Sequence, residues 1–331
     1  MQKHDWNDVI TEIEKAQKIL IFTHVNMDGD AAGSAAALCH VLRMLGKEAW
    51  IIVEDKFPEY VSFLDRSLFV SEAPYLQDLS IAVDLGDDSR LENRVELFYK
   101  AKSCIVIDHH IKGDASFKFN GVVDHSAAAA GLLVYELVNA LELRFGKELL
   151  DKETATALYT AILTDTGGFK YDSTGAECFR IAADLVEKGA DNAFIANHVF
   201  DNKPLAQIRI DALAVDRAVF SSGGKGVVSI ITLEDMEKLG ALPEYTENAV
   251  NVLRSLVGVE IVALIKERAP GFYKISFRAK EYADVRSIAQ GFSGGGHMKA
   301  AGGQIEGDPR TASEAVRRAV DAFFEAYREN I

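Results

Sequence analysis

The chain has 331 residues and 48% of them are hydrophobic, which is enough for two domains with buried cores. No apolar run approaches the roughly 18 residues of a membrane span, and the first residues lack the apolar core of a signal peptide. The net charge of −14 argues against tight, sequence-independent binding of long nucleic acid. Three widely spaced cysteines (Cys39, Cys104 and Cys178) indicate reduced thiols, so we expect a cytoplasmic protein with no membrane partner.

Residues 1–203 alternate between strand-like and helix-like segments, which predicts a mostly parallel sheet with helices on both faces. The predicted strands cover residues 19–22, 49–53, 79–85, 103–107 and 117–123. The predicted helices cover residues 8–18, 31–45, 91–100, 126–136, 152–163, 175–188 and 191–200. Ser126 is expected to cap the fourth of these helices, with residues 127–130 as its first turn.

The pattern changes after about residue 205. Residues 204–215 predict a linker helix, and residues 216–331 predict a smaller α+β domain that carries almost no net charge. Its predicted strands cover residues 226–232, 259–267 and 271–278, with a hairpin turn at Pro270-Gly271. Helices are expected over residues 283–290 and 311–327, and a glycine-rich stretch, 293–303, separates them.

Acidic and histidine side chains stand at four places where predicted strands or helices end. These are His24 with Asp28 and Asp30, Asp84, the run Asp108-His109-His110, and Asp165. Each place alone has a plainer interpretation, because such residues also cap helices and form polar turns. Together they can meet at the carboxyl edge of one parallel sheet, where ligands bind. Mixed His and Asp ligands suit two Mn²⁺ ions, with Mg²⁺, Zn²⁺, Co²⁺ or Fe²⁺ as alternatives.

Five motifs in a fixed order give the chain a family resemblance. They are H-x-x-x-D-G-D-A-x-G-S from residue 24, V-D-L-G-D from 83, D-H-H from 108, T-D-T-G from 164, and G-G-G-H-x-x-A-A-G-G from 294. This set resembles the DHH phosphoesterase family with its DHHA1 domain, and in layout the bacterial nano-RNase and pAp phosphatase branch. The resemblance implies a DHH catalytic domain over residues 1–203 and a DHHA1 domain over 216–331. Thr23 and Met27 depart from residues common in the family, but neither change removes a ligand.

The resemblance also implies roles for these residues. It gives two sets of metal ligands that share one carboxylate: His24, Asp28 and Asp84, and Asp30, Asp84, His109 and Asp165. A hydroxide bridging the two metals would attack phosphorus, and Asp84 between them would stay ionised. His110 would lie beside the scissile phosphate, and Asp108 would orient a histidine, as metal-bound imidazoles usually require.

The glycine-rich stretch suggests either a phosphate-binding loop or a flexible loop with an incidental histidine. Gly294, Gly295 and Gly296 can expose backbone N–H groups to a phosphate, and His297 can add a donor. Seven basic residues nearby favour the first interpretation. In the related family, the matching glycine–histidine loop and a strand arginine, here Arg278, bind the non-scissile phosphate of the substrate.

The motifs predict a Mn²⁺-dependent phosphoric ester hydrolase, and the resemblance implies that its substrates are short oligoribonucleotides and pAp-like nucleotide bisphosphates. A phosphodiesterase for linear or cyclic dinucleotides would share every motif. A single-strand DNA exonuclease would need a longer chain with a basic groove, and a non-catalytic nucleotide-binding module would show a broken ligand set. An inorganic pyrophosphatase would not be expected to end in the glycine–histidine loop. The Ala- and Leu-rich helices would serve either a homodimer interface or an ordinary core.

Overall fold

The computed structural model describes residues 3–54, 56–110 and 120–329, and the chain divides into two units, Met1–Asn202 and Lys203–Ile331. The part of the predicted fifth strand at residues 117–119 lies outside the described residues. None of the described helices combines the length and apolar character that crossing a bilayer requires.

The first unit is built on a six-stranded parallel sheet in the order β3-β2-β1-β4-β5-β6. Its strands are β1 (Lys18–Phe22), β2 (Glu48–Ile52), β3 (Phe69–Val70), β4 (Leu79–Val83), β5 (Ser103–Asp108) and β6 (Asn120–Val123). The strand order reverses between β1 and β4, and ligands of doubly wound folds bind at the carboxyl end of such a reversal. The fold therefore places a crevice where β1 and β4 end.

Helices cover both faces of this sheet, which confirms the predicted fold class. They are α1 (Asn7–Lys15), α2 (Gly29–Met44), α3 (Val95–Tyr99), α4 (Ala130–Phe145), α5 (Lys152–Asp165), α6 (Ala176–Glu187) and α7 (Asn192–Ala196). Side chains of β1 alternate between two cores, because successive residues of a strand point to opposite faces. Ile19 and Ile21 belong to the large core with α1, α2, α4, α5 and α6, and Leu20 and Phe22 belong to the smaller core with α3.

The second unit has a mixed six-stranded sheet in the order β11-β12-β10-β9-β8-β7. Its strands are β7 (Val219–Ser221), β8 (Gly226–Ile231), β9 (Ile261–Ala269), β10 (Phe272–Ala279), β11 (Gly295–Gly296) and β12 (Ala300–Glu306). Its helices are α8 (Leu205–Asp216), α9 (Leu233–Leu239), α10 (Ala249–Arg254), α11 (Val285–Gln290) and α12 (Pro309–Glu329). The predicted α+β character of this region is confirmed, and the β9–β10 hairpin forms as expected.

Three local predictions differ from the structure. Ser126 does not cap α4, because Asp124 accepts hydrogen bonds from Ser126 and the helix begins at Ala130. The helix expected over residues 91–100 is a 3₁₀ segment, Asp88–Arg94, that is interrupted at Glu92 (φ 47°) before α3. Part of the glycine-rich stretch is not a loop, since it pairs as β11 and β12.

Candidate metal centre

The crevice at the end of β1 and β4 gathers side chains from five elements. His24 follows β1, Asp84 follows β4, and His109 and His110 follow β5 directly. The first turn of α2 contributes Asp30 with its N-cap Asp28, and the last residue of α5 is Asp165. Residues separated by as many as 141 positions in the chain therefore meet in one crevice.

Two imidazoles in the crevice are oriented by the main chain. His24 Nδ1 lies 2.8 Å from the carbonyl oxygen of Val25, and His109 Nδ1 lies 3.1 Å from that of Ala127. A carbonyl oxygen can only accept a hydrogen bond, so each Nδ1 carries a proton and is the donor. In the neutral ring Nε2 then holds the lone pair, and in both residues Nε2 faces carboxylates. This is the orientation that a metal-binding histidine needs.

Asp84 lies between these two imidazoles. Its Oδ2 is 3.8 Å from His24 Nε2, and its Oδ1 is 3.4 Å from His109 Nε2. The residue is 1% exposed, and its Oδ1 accepts no hydrogen bond from the described residues. An unsatisfied buried carboxylate oxygen is costly. Its φ of 55° is also unusual for a residue other than glycine, and such strain is concentrated at functional sites.

The other carboxylates complete two groups that share this crevice. Asp28 accepts backbone N–H groups of α2 through Oδ1, and its Oδ2 lies 3.7 Å from His24 Nε2. His109 Nε2 lies 3.7 Å from Asp30 Oδ2 and 3.5 Å from Asp165 Oδ2. Ligand atoms lie within 4.8 Å of one another in each of the groups His24–Asp28–Asp84 and Asp30–His109–Asp165. The donor set and the unsatisfied Oδ1 fit divalent cations.

The electrostatics of the cluster also favour added positive charge. Burial and the neighbouring Asp84 and Asp165 carboxylates raise the pKa of Asp30 well above its ordinary value. Burial raises the pKa of Asp165 to about 6. Burial disfavours the charged form of His109, but the Asp84, Asp30 and Asp165 carboxylates outweigh it and raise the pKa of His109 to about 10. Buried carboxylates that repel one another and attract protons are what a divalent cation would neutralise.

The Asp108 side chain holds the loop after β5 through hydrogen bonds. Its Oδ1 accepts hydrogen bonds from the backbone N–H of His109 (2.8 Å) and from Nδ1 of His110 (2.9 Å), and its Oδ2 accepts one from Gly86 N (2.6 Å). Burial opposes its charge, but the bonds from His110 outweigh burial and lower the pKa of Asp108. The ring of His110 is thereby fixed with its other nitrogen, Nε2, available.

The residues predicted to bind substrate lie in the second unit. Arg278 is on β10, and its guanidinium donates to the carbonyl oxygen of Phe277 (2.9 Å). Gly295 and Gly296 form β11, and His297 lies in the turn to β12. A Cβ atom on Gly294 would lie 1.9 Å from the Gly302 carbonyl oxygen, so the hairpin itself requires glycine there. A Cβ on Gly295 would meet no atom within 4 Å, and that position is exposed.

Sequence reasoning missed several contributors to the crevice. Asp30 accepts hydrogen bonds from the Ala130 and Gly131 backbone N–H groups (2.6 and 3.0 Å) at the start of α4, and from the Ser34 hydroxyl (2.9 Å). Only the Ser34 contact had a local signal, because it lies one helical turn after Asp30. A separate group, His40 with Asp151 and Glu153, lies at the opposite end of α5.

Comparisons with known proteins bear on the family of the chain. Residues 18–162 match the DHH family, N-terminal domain, and residues 223–329 match the DHHA1 domain. The chain is 32% identical to the bifunctional oligoribonuclease and PAP phosphatase NrnA of Thermus thermophilus, over 94% of this chain and 92% of that protein. It is 26% identical to the cyclic-di-AMP phosphodiesterase GdpP of Geobacillus thermodenitrificans, over 95% of this chain and 48% of that protein.

A solved structure has the same fold over nearly the full length. An exopolyphosphatase-related protein of Bacteroides fragilis superposes with a TM-score of 0.86 at 24% sequence identity, covering 98% of this chain and 96% of that chain. The family-model matches, the relative at 32% identity and the shared fold agree with the motifs. The chain therefore belongs to the DHH family of phosphoesterases, with an N-terminal DHH domain followed by a DHHA1 domain.

Proposed function

We propose that this protein is a two-metal phosphoesterase that hydrolyses short oligoribonucleotides and pAp-like nucleotide bisphosphates. The observation that carries the proposal is Asp84, whose two oxygens face the imidazoles of two different His–carboxylate groups. One ion would be held by His24, Asp28 and Asp84, and the other by Asp30, Asp84, His109 and Asp165. Bound divalent ions would supply a water that ionises near neutral pH and would offset the negative charge of the phosphate.

The protein's own residues would then orient the substrate and protonate the oxygen that leaves phosphorus. Asp108 fixes the ring of His110 through Nδ1, so Nε2 can hold a proton for the oxygen that leaves phosphorus. His110 is half-buried beside Asp84, with Nδ1 3.3 Å from Oδ1. We further propose that Arg278, the Gly294–Gly296 backbone and His297 bind a phosphate of the substrate that does not react. Binding energy from a remote phosphate can be used to position the reacting one.

The relatives support the proposed substrate class, and one activity panel tests it. NrnA proteins at 25–32% identity favour oligoribonucleotides and pAp, and GdpP favours a dinucleotide second messenger as the alternative substrate. We propose Mn²⁺ as the ion, with Mg²⁺, Co²⁺ or Fe²⁺ as substitutes. The panel compares turnover of pAp, oligoribonucleotides of two to ten nucleotides, a linear dinucleotide and cyclic di-AMP, with each ion and with EDTA.

The expected result is turnover of pAp and of the shortest oligoribonucleotides that EDTA abolishes. Preferred turnover of cyclic di-AMP would favour the alternative, and no turnover of any phosphoester with any ion would refute both. His109→Gln should lower activity by about 10³-fold, because losing a metal ligand forfeits several kcal/mol of transition-state stabilisation. His40→Gln is the matched control, because His40 lies outside the crevice and pairs with Asp151.

A further inference from the structure

Three aromatic rings form a cluster at the surface of the first unit. The ring centroids of Phe194 and His198 are 4.0 Å apart, and each lies 5.4 Å from that of Phe63. We call Phe63, Phe194 and His198 the aromatic platform. Phe194 is 42% exposed, and Phe63 and His198 are half-buried, so part of the platform is open to solvent. A solvent-exposed aromatic ring that is packed against other rings can serve as a stacking surface.

The local backbone holds this platform in place. His198 Nδ1 lies 2.9 Å from the Phe194 carbonyl oxygen. This oxygen therefore accepts a hydrogen bond from Nδ1, and the bond fixes the plane of the imidazole. His198 belongs to a π-helical segment, Asn197–Asp201, which directly follows α7. Such wide turns are rare and occur frequently at functional sites, because the extra residue redirects the side chains.

One link ties the platform to the candidate metal centre through Tyr60. Burial raises the pKa of the Tyr60 phenol, and Tyr60 lies close enough to Asp28 for the Asp28 carboxylate to contribute to the raised pKa. Tyr60 belongs to the 3₁₀ turn Glu59–Val61, and that turn packs against the π-helical segment. The Tyr60 turn therefore contacts the π-helical segment and lies near Asp28 of the His24–Asp28–Asp84 group.

A second link leads to the other group of ligands. The ring of Phe200, in the same π-helical segment, would lie 3.3 Å from a Cβ atom placed on Gly168. Gly168 follows Asp165 by three residues. The π-helical segment therefore contacts both the turn after Asp165 and the Tyr60 turn. Both turns adjoin candidate metal ligands, which brings the segment that carries His198 close to the site where a phosphate would bind.

We propose that the aromatic platform stacks a nucleobase of the substrate, with the phenol of Tyr60 beside it. This inference rests on the proposed function and names the part of the nucleotide that the first unit would recognise. A nucleobase is one ribose away from its phosphate, so a ring bordering the phosphate site is in reach of it. Every base has a flat π-face, so aromatic stacking binds short substrates with little sequence preference.

The test uses the full chain and a dinucleotide that contains 2-aminopurine and a methylene phosphonate linkage, which resists hydrolysis. Stacking on Phe194 should quench the 2-aminopurine fluorescence. Phe194→Leu keeps apolar volume but removes the ring, so we expect about tenfold weaker binding and loss of the quenching. Phe194→Trp should restore both. Phe220→Leu is the control, because Phe220 is also exposed (54%) but lies in the second unit.

Kinetics separate stacking from a structural role. With a hydrolysable dinucleotide, Phe194→Leu should raise KM about tenfold with little change in kcat, and an abasic dinucleotide analogue should show no change. Wild-type-like quenching in Phe194→Leu, or equal losses on both substrates, would overturn the inference. If the wild-type protein binds the analogue with quenching but hydrolyses no phosphoester, the inference that the platform stacks a nucleobase is supported and the proposed function is refuted.

Discussion

Replacing Asp84 with asparagine tests the metal centre most directly. Asparagine has nearly the same shape as aspartate, and it is one of the few residues that tolerate a positive φ, here 55°. Alanine would add backbone strain to the loss of the carboxylate, so its effect would be harder to interpret. In Asp84→Asn the fold should be kept, and the negative charge that faces both imidazoles is removed.

The expected loss can be worked from charges. Two divalent ions about 4 Å apart repel each other by about 17 kcal/mol at an effective dielectric constant of about 20. The four carboxylates proposed as ligands, Asp28, Asp30, Asp84 and Asp165, would offset this repulsion. If each offsets an equal share, removing the Asp84 charge costs about 4 kcal/mol, which corresponds to about 10³-fold weaker binding of the second ion. Hydrolysis should fall by at least the same factor, since the proposed chemistry needs both ions.

Isothermal titration with Mn²⁺ and elemental analysis of the dialysed protein measure the number of ions per chain. We expect two ions in the wild type and at most one in Asp84→Asn. Asp88→Asn is the matched control, because Asp88 lies four residues later, at the start of the 3₁₀ segment, and accepts a hydrogen bond from the hydroxyl of Tyr99 (2.8 Å). The reasoning fails if Asp84→Asn retains two ions at wild-type affinity and hydrolyses a dinucleotide within about threefold of the wild-type rate.

Three further predictions concern protons and packing. Carboxylates outweigh burial and raise the pKa of His109 to about 10, so calorimetry in two buffers should detect proton release on Mn²⁺ binding at pH 7, and less near pH 10. Gly33→Ala should lower the free energy of unfolding by about 1–3 kcal/mol, because its Cβ would lie 2.4 Å from a backbone oxygen of α5. Gly302→Ala is the control and should change this free energy little, because the nearest atom to its Cβ would be 3.7 Å away. Arg94→Met should lower the free energy of unfolding in urea by about 3 kcal/mol, because buried Arg94 donates hydrogen bonds to three backbone carbonyl groups. Arg144→Met is the control and should lower it by under about 1 kcal/mol, because Arg144 is exposed and pairs with Glu14 at the surface.

The sequence predicted the sheet of the first unit well because its strands are buried on both faces. The apolar run at residues 19–22 has no polar interruption, and β1 indeed has neighbours on both edges and helices on both faces. The end of that run is abrupt, so the position of His24 after the strand could be read directly. A strand end defined this sharply is what made the crevice predictable.

The start of α4 could not be predicted locally. The side chain that accepts its first N–H groups is Asp30, one hundred positions earlier in the chain, so Ser126 looked like the nearest available cap. The β11–β12 pairing failed for a related reason: glycine disfavours strands, and this hairpin depends on β12 pairing with β10. By contrast, α9 had a local signal that was overlooked, the capping box of Thr232 and Asp235.

Main-chain carbonyl oxygens, not neighbouring side chains, determine which nitrogen of His24 and His109 is protonated. The side chains of Val25 and Ala127 take no part in those bonds, so other residues at positions 25 and 127 would leave the same lone pairs facing the crevice. Substitutions at those two positions, in evolution or by design, would therefore change the surroundings of the centre and leave the tautomers of the two histidines unchanged.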